Sequence, residues 1–536
     1  MKYEKRPDVI IKNGRVVDGT GAPAFYADLA IVGDKIDYIG KLDGVEADLV
    51  IDAKGKYVTP GFIDEHSHSD STIWANLEAQ STIRQGITCE IVGHCGLSES
   101  PITQEVRDSV SVGLVTTDEK PPIGGFKEAF EAIEKAGMSE NVAWLCGHNT
   151  LRQLAGVRGT EYTEEQFKVM EKYLRESLEA GCVGFSTGLE FDPGRDASYE
   201  EISRLVGIMA EYDNAVYTSH IRNRDARVLE SMEEFIQTLR DNKCRGVLSH
   251  FNIRMNTGAP EGAWWTGNKL MHQAREEGID MLSDMTPIEH GIGLMTAILP
   301  GWAMEGGWQH TCEILNDPEG RKKLRGDCDR YWRFITRGEW DRVRLQACPN
   351  FPELAGKTFP EIAKLWNKDE WDCFFDILAA AKDKMQSCMM LGHLFPEQMV
   401  IDGITDPMFM MVVDGYTTVE KGPLAEKTAI PLHYMGMMYF FEHYVRDLKV
   451  MPLETAVSKV THLPASFYNL EKRGMIAEGY YADINVFALE DLKIEADFSN
   501  PCVYSKGMDY VLVNGVPVLA KGEHTHARPG RSLLRK

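Results

Sequence analysis

Short apolar runs alternate with amphipathic stretches through most of the chain. Eight runs can be distinguished: Gly61 to Asp64, Ile87 to Val92, Val142 to Cys146, Val183 to Ser186, Ala215 to Ser219, Gly246 to Ser249, Ile279 to Ser283 and Met411 to Val413. Between them, Thr163 with Gln166 predicts a capping box that starts a helix ending at Gly181. Ser198 with Glu201 predicts the start of another helix. Strands that alternate with helices predict an α/β fold, and eight of them close a (β/α)8 TIM-like barrel.

The two ends of the chain carry short β-branched runs in place of this alternation. These runs are Val9 to Ile11, Leu29 to Val32, Lys35 to Ile39 and Val50 to Ile51 near the start, and Ala482 to Phe487 and Tyr510 to Val518 near the end. Because neither end is long enough to bury a core by itself, we expect residues 1–60 and 478–536 to pair as one small β-sandwich domain. The barrel, residues 61–477, is then inserted between them.

One interval in the barrel region is longer than a single helix needs. It separates the seventh run from the eighth and is rich in tryptophan, with Trp302, Trp308, Trp332 and Trp340. Long excursions at the top of a barrel commonly cover the site. We therefore expect a lid insertion at about residues 287–354.

Composition and charge narrow the class of partner. Charged residues make up 26% of the 536 residues and hydrophobic residues 43%, as in ordinary globular proteins. The net charge of −23 disfavours nucleic acid or an anionic membrane surface. The chain starts with alternating charges and no apolar targeting segment, so we expect a cytoplasmic protein. Its 11 cysteines include no CxxC pair and do not indicate a disulfide framework. A small-molecule substrate is expected, and homo-oligomerisation stays open.

The residues that follow the predicted strands carry the candidate chemistry. They are His66 and His68 after the first strand, Cys95 after the second, His148 after the third, His220 after the fifth, His250 after the sixth and Asp414 after the eighth. Because the strand ends of a barrel meet at one rim, we expect these side chains to converge. Imidazole and thiolate ligands together suit Zn²⁺. The pattern therefore predicts a zinc site at this rim.

Each of these residues also has a plain structural interpretation. An isolated HxH pair is most often a surface feature, but His66 and His68 follow an apolar strand and point to the same face of it. A lone Cys95 is most often a small buried hydrophobe, although its place between glycines past a strand end favours a thiolate, and His94 beside it points to the opposite side. Asp414 could belong to a simple Asp-Gly turn, but a carboxylate at the end of a buried run normally has a cation partner.

Ten stretches carry a resemblance to a known family. They are GFIDEHSH (Gly61 to His68), GHCG (Gly93 to Gly96), GHNTLR (Gly147 to Arg152), GFSTGLEFDPG (Gly184 to Gly194), SHIR (Ser219 to Arg222), LSH (Leu248 to His250), LPGWAMEGG (Leu299 to Gly307), RGMIAEGYYADINVF (Arg473 to Phe487), VLVNG (Val511 to Gly515) and ARPGR (Ala527 to Arg531). On these stretches the chain is identified as a member of the amidohydrolase superfamily that resembles the D-aminoacylases, the N-acyl-D-amino-acid deacylases.

The resemblance implies a role for each residue of the rim. It implies that Cys95, His220 and His250 form a tight zinc site and that His66 and His68 form a second, weaker site. Asp414 matches the catalytic aspartate of the family. It also implies that the insertion is a mobile cover. The expected reaction is hydrolysis of an amide, in which zinc polarises the carbonyl and activates water, and Asp414 takes the proton of the water and returns it to the leaving group.

Three positions depart from the family pattern. Family members hold the carboxylate of the substrate with a Tyr, a Lys and an Arg, where this chain has Phe191, Asn252 and the segment 430–432, Ile-Pro-Leu. Arg254 and His433 are the candidates to compensate. Without these anchors, we expect the best substrate to lack a free α-carboxylate at that place or to present a bulkier neutral group.

Other contacts with the substrate are also expected. His148 and Arg152 are placed to orient it, although His148 could equally ligate the metal or bind a neighbouring loop. Trp302 of the insertion is expected to pack on it. We interpret the chain as a zinc-dependent hydrolase of carbon–nitrogen bonds other than peptide bonds. The alternatives are a hydrolase of cyclic amides, imides or lactones with the same centre, and a non-catalytic scaffold, which the retention of every ligand disfavours. The acyl group, the D or L preference and the number of metals stay open.

Overall fold

The barrel wall consists of parallel strands that each pair with the next along the chain. A computed structural model describes residues 3, 5–109, 115, 117–304, 307–328 and 331–536. Within these residues the wall has eight strands: Phe62–Ser67, Ile87–Val92, Asn141–Gly147, Gly184–Gly188, Val216–His220, Arg245–Leu248, Met281–Met285 and Phe409–Met411. The predicted (β/α)8 barrel is therefore confirmed, and each strand lies within a few residues of its predicted run.

The interior of the barrel is filled by aliphatic side chains from successive strands. One buried cluster contains Ile63, Cys89, Ile91, Ala143, Leu145, Val183, Val216, Val247, Leu282 and Met410. Helices cover the outer face of the strands, so each strand is buried on both faces and has a nearly continuous apolar sequence. This is why the strands can be recognised as short apolar runs.

The first and eighth strands close the barrel through their C-terminal ends. The amide of Asp414 donates to the His66 carbonyl at 3.0 Å, and the amide of His68 donates to the Gly415 carbonyl at 2.9 Å. The amide of Val413 donates to the Asp64 carboxylate at 2.9 Å. The seam of the barrel thus holds three residues with candidate chemistry next to one another.

The helices around the barrel begin and end at residues with the expected capping chemistry. The Thr163 side chain accepts from the Gln166 amide, and the helix ends at Gly181 with φ +113°. The Ser198 side chain caps the next helix by accepting from the Glu201 amide. The α-helices outside the insertion are Gln80–Ile83, Gln104–Ser109, Phe126–Ala136, His148–Leu154, Glu164–Ala180, Tyr199–Met209, Val228–Asn242, Ala263–Glu276, Glu397–Thr405, Pro423–Lys427, Leu432–Tyr439, Leu453–Lys459 and His462–Phe467, and a π-helix spans Phe440–Asp447.

The excursion between the seventh and eighth strands forms a separate layer. It contains an antiparallel sheet of His290–Leu294, Met389–His393 and Val343–Ala347 and the helices Gly301–Met304, Gly307–Asn316, Pro318–Asp327, Phe359–Trp366 and Glu370–Ala381. The predicted segment 287–354 covers only its first part, because the central strand of the sheet comes after the last two of these helices. The tryptophan-rich interval ends before that strand, so the sequence pattern did not indicate that the insertion extends this far.

The tryptophans of the insertion mostly form its own core. Trp332 and Trp340 are buried, and the Trp340 ring lies 5.0 Å from the ring of Phe359. Trp302 donates to Asp327 at 3.1 Å and lies under the Lys323 ammonium. These contacts account for Trp302 within the insertion, in place of the expected contact with substrate.

The two chain ends share one sheet and one core. In the described residues this sheet has nine strands: Val9–Val16, Phe25–Val32, Lys35–Gly40, Leu49–Asp52, Tyr57–Pro60, Ile484–Phe487, Met508–Val513, Val516–Ala520 and Glu523–His524. The strands of the two ends meet where Tyr57–Pro60 pairs antiparallel with Ile484–Phe487. A further short strand, Ser532–Leu533, pairs with the third barrel strand. No helix in the described part of the chain is both long enough and apolar enough to cross a membrane.

Candidate metal centre

Cys95 lies at the centre of a cluster of side chains at the C-terminal rim of the barrel. Its Sγ lies 3.4 Å from His66 Nε2, 3.5 Å from His250 Nε2 and 3.6 Å from His220 Nδ1. All four residues are buried. The convergence expected from the strand ends is therefore observed for one thiol and three imidazoles.

Asp414 joins a second group of potential ligands. Its Oδ1 lies 3.3 Å from His68 Nε2 and 3.6 Å from His66 Nε2. Metal-binding geometry groups His66 with Cys95 and His250, and also groups His66 with His68 and Asp414. His66 thus belongs to both groups, whereas the resemblance implied that it belongs only to the second. The Asp414 side chain is 28% exposed, so water can reach the carboxylate.

Three of the site residues adopt left-handed backbone conformations. The φ angles are +53° at Cys95, +35° at His250 and +55° at Asp414. Each residue lies just beyond a barrel strand, where this turn redirects its side chain. Non-glycine residues with such angles cost on the order of 1 to 3 kcal/mol each and are concentrated at functional sites.

The electrostatics of the cluster favour a thiolate and a neutral ligand imidazole. Burial alone would raise the pKa of the Cys95 thiol, but the charge of His66 and hydrogen bonds from His220 and His250 bring it well below its usual range. Burial lowers the pKa of His250 to about 3, with further effects from Arg224 and His220. A thiolate and neutral imidazoles are the forms that bind a transition metal.

Asp414 is held in its ionised form. Burial would raise the pKa of this carboxyl, but the charge of His66 and the hydrogen bond from His68 lower it to about 2. Burial alone would lower the pKa of His68, but hydrogen bonds to Asp414 and Cys95 and the charges of these two groups raise it to about 10. An ionised carboxylate at this place can accept a proton from a nearby water.

Two carboxylates that the strand-end argument missed orient the imidazoles. Asp284 Oδ1 accepts from the His250 amide at 2.6 Å, and its Oδ2 lies 3.4 Å from His66 Nδ1. Glu190 Oε2 accepts from His220 Nε2 at 2.9 Å. Such partners fix the ring orientation of metal ligands. Glu190 follows the fourth strand, and Asp284 comes directly after the predicted seventh run, Ile279 to Ser283, so the same positional rule, applied to every run, would have found them.

The expected substrate residues near His220 lie at the rim, where each contacts another side chain of the protein. The Phe191 ring packs edge-on against His220, with centroids 4.4 Å apart. Both Arg254 Nη atoms donate to the two Glu190 oxygens, at 2.9 and 2.6 Å. Asn252 Oδ1 accepts from Arg224 Nη1 at 3.0 Å. Both Nη atoms of Arg254 are therefore engaged by Glu190. Arg224 is a residue of this rim that the pattern did not indicate.

His433 lies behind an aromatic ring of the site. Its Nδ1 donates to the Thr428 carbonyl at 3.0 Å, and its ring contacts Tyr416, whose own ring is 5.8 Å from that of His68. Burial lowers the pKa of His433 to about 4, so the ring is neutral. A neutral imidazole behind Tyr416 does not provide the positive charge that compensation for the missing arginine requires.

His148 and Arg152 are engaged with a helix of the outer layer. His148 Nε2 donates to Glu201 Oε1 at 2.8 Å, and Arg152 Nη1 donates to Glu201 Oε2 at 2.9 Å. All three side chains are fully buried. The His148 ring packs on Phe185 of the fourth strand. The pair joins the helix His148–Leu154 to the helix Tyr199–Met209, which is a structural interpretation of two residues that were expected to contact the substrate.

Replacement of Glu201 tests this structural interpretation. In Glu201→Gln the Arg152 guanidinium stays buried without its carboxylate, so we expect a loss of about 3 to 5 kcal/mol in stability. Urea unfolding of the variant and the parent protein measures this difference. Glu200→Gln, at the exposed neighbouring position, is the matched control and should unfold like the parent. A stable Glu201→Gln protein with a raised KM would instead support a role of this cluster in substrate binding.

The chain is similar to known amidohydrolases over nearly its whole length. Residues 49–312 and 426–519 match the Amidohydrolase family. An N-acyl-D-glutamate deacylase of Alcaligenes xylosoxydans xylosoxydans is 30% identical, over 99% of this chain and 97% of that protein. The crystal structure of N-acyl-D-glutamate deacylase from Bordetella bronchiseptica, complexed with zinc and a phosphonate inhibitor, has a TM-score of 0.81 at 28% identity and covers 99% and 100% of the two chains. A structure of D-aminoacylase, studied for its binuclear metal centre, has a TM-score of 0.80 at 26% identity over 98% and 100% of the chains.

Proposed function

The chain belongs to the amidohydrolase family, as a metal-dependent amide hydrolase of the deacylase type, and on this premise we propose how its centre works. We propose that the metal is Zn²⁺, held tightly by Cys95, His220 and His250. His66 and His68 provide a second and weaker site. The substrate is a small N-acylated amine of the amino-acid type, and hydrolysis releases the acyl group as a carboxylic acid.

The observation that carries this proposal is the position of one thiolate among three imidazoles. The Cys95 Sγ has ligand nitrogens of His66, His220 and His250 within 3.4 to 3.6 Å. A thiolate with imidazoles is a donor set that zinc prefers, and three protein ligands leave a position open for catalysis. Zinc held in such a site polarises a carbonyl group and acidifies water.

The residues of the chain supply the proton transfers. Asp414, held between His66 and His68, takes the proton of the attacking water and delivers it to the leaving nitrogen. Asp284 and Glu190 keep the rings of His66 and His220 in place. Phe191, packed on His220, makes one wall of the site apolar and excludes water from it. We also propose a cytoplasmic location, which the eleven free thiols, all within the described residues, support.

Metal analysis and a substrate panel test the proposal together. We expect about one tightly bound zinc per chain and release of carboxylic acid from some of a panel of N-acyl-D- and N-acyl-L-amino acids and their α-amides. A chelator should remove both the metal and the activity, and added zinc should restore both. Hydrolysis that is confined to cyclic imides or lactones, or that persists in metal-free protein, would contradict the proposal.

A further inference from the structure

Arg224 is a buried cation at the edge of the metal centre. It follows the fifth barrel strand by four residues, and its side chain is 12% exposed. Its Nη1 donates to the His250 carbonyl at 3.3 Å and to Asn252 Oδ1 at 3.0 Å, and it lies 3.1 Å from His250 Nδ1. His250 faces Cys95 with its Nε2 and Arg224 with its Nδ1, so the guanidinium and the thiol lie on opposite sides of this imidazole ring.

The nearest carboxylate to Arg224 is already fully used. Both oxygens of Glu190 accept from Arg254, and Glu190 also accepts from His220. Arg224 Nε comes no nearer than 3.8 Å to this carboxylate. The adjacent Asp225 turns to its own backbone and accepts from the Ala226 amide at 2.6 Å. Among the described residues, the two arginines therefore share one carboxylate, and a buried guanidinium of this kind requires a further anion.

One edge of the Arg224 guanidinium has no hydrogen-bond partner in the described part of the chain. Nε is buried and unpaired, and the hydrogen bonds of the residue all use Nη1. The Nε–Nη2 edge of an arginine is a planar pair of donors that matches the two oxygens of a carboxylate. Asn252 holds the opposite side of the group, which fixes the orientation of this unpaired edge.

We propose that Arg224 binds the free carboxylate of the substrate and thereby determines its class as N-acyl amino acids. This inference rests on the function proposed above. In such a substrate the acyl carbon and the carboxylate carbon are three covalent bonds apart. This span is comparable with the width of the His250 ring, which separates its metal-binding nitrogen from Arg224. The hypothesis of a neutral substrate assumed that no cation replaces the missing family anchors. Arg224 provides that cation, and Asn252, at one of the altered positions, is its positioning residue.

Binding to a catalytically silent protein tests Arg224 directly. We would use Asp414→Asn protein loaded with zinc and titrate, by calorimetry, the N-acyl amino acid that the parent enzyme hydrolyses best and then its primary α-amide. The free acid should bind more tightly than the amide. Adding Arg224→Gln should weaken binding of the acid by about 10- to 100-fold and change binding of the amide by less than about twofold, because charge-assisted hydrogen bonds of this kind are lost only for the acid. Arg224→Lys, which keeps the charge but not the planar fork, should fall between the two.

Kinetics of the otherwise unaltered enzyme provide a second readout. Arg224→Gln should raise KM for the free acid by about 10- to 100-fold and change kcat/KM for the amide by a much smaller factor. Zinc content is measured in each variant, since Arg224 contacts His250. Arg227→Gln, at an exposed arginine of the same loop that pairs with Glu230, is the matched control and should behave like the parent.

The outcomes separate this inference from the proposed function. Equal loss of acid and amide binding in Arg224→Gln, or an unchanged affinity for the acid, would overturn the role of Arg224. A panel in which no free acid is hydrolysed, or a parent protein that prefers the amide, would also overturn it. Metal-dependent release of carboxylic acid from neutral amides would leave the proposed function intact in each case.

Discussion

Replacement of Cys95 by alanine is expected to abolish both metal retention and turnover. The Sγ atom approaches His66, His220 and His250 together, so its removal leaves these imidazoles without the anionic ligand between them. The thiolate also supplies the negative charge that makes a divalent cation favourable in this buried place. The expected result is protein that purifies folded, contains less than about a tenth of the parent zinc after dialysis, and shows no measurable release of product.

A neighbouring thiol provides the control for this experiment. Cys89 lies in the second barrel strand and faces the aliphatic interior, so Cys89→Ala removes a buried sulfur without touching the cluster. This variant should keep its zinc and its activity. Cys95→Ala protein that retains one zinc per chain through dialysis would show that Cys95 is not the central ligand. The second group, His66 with His68 and Asp414, would then be the metal site.

Replacement of Asp414 by asparagine is expected to separate binding from catalysis. The amide keeps the size of the side chain, and the proposed tight ligands Cys95, His220 and His250 are untouched, so zinc content should match the parent. The amide cannot accept the proton of the attacking water, and general bases contribute about 10²- to 10⁴-fold in rate. We therefore expect kcat to fall by about that factor, while KM changes little.

The measurement is steady-state kinetics on the best substrate of the panel, with zinc determined on the same preparation. Asp402→Asn, on the helix Glu397–Thr405 outside the site, serves as a control and should keep the parent rate. An Asp414→Asn enzyme with full zinc and parent kcat would exclude Asp414 as the base. A variant that loses its zinc would show that Asp414 acts mainly as a ligand.

The barrel and the metal cluster were predictable from the sequence because both obey short-range rules. Buried parallel strands have continuous apolar sequences, and capping residues such as Thr163 and Gly181 act through their own backbone neighbours. The position just after a strand then identifies Cys95, His220 and His250. No distant contact has to be known for any of these inferences.

Some contacts of the rim residues could not be predicted from the sequence because they join distant segments. His148 and Arg152 follow a barrel strand as the candidate ligands do, but both bind Glu201 of the helix Tyr199–Met209. This contact holds both side chains in the outer layer of helices. Arg224 is one of several arginines in its loop. Its importance appears only when Arg254 is seen to occupy both oxygens of Glu190. The sequence does not show which of the two arginines lacks a carboxylate partner, because this depends on how the side chains pack in the folded protein.

The sheet shared by the two chain ends constrains the order in which the protein can fold. Pro60 and Ile484 are partners in neighbouring strands, yet the ribosome synthesises almost the whole barrel between them. Domains generally fold as units during synthesis, beginning with the N-terminal one. Here Tyr57–Pro60 can pair early with Val9–Val16, but its other edge stays open until Ile484–Phe487 has been synthesised. Until then this edge presents unpaired backbone donors and acceptors to other nascent chains. Completion of this sheet therefore has to come late, after nearly the whole barrel has been synthesised.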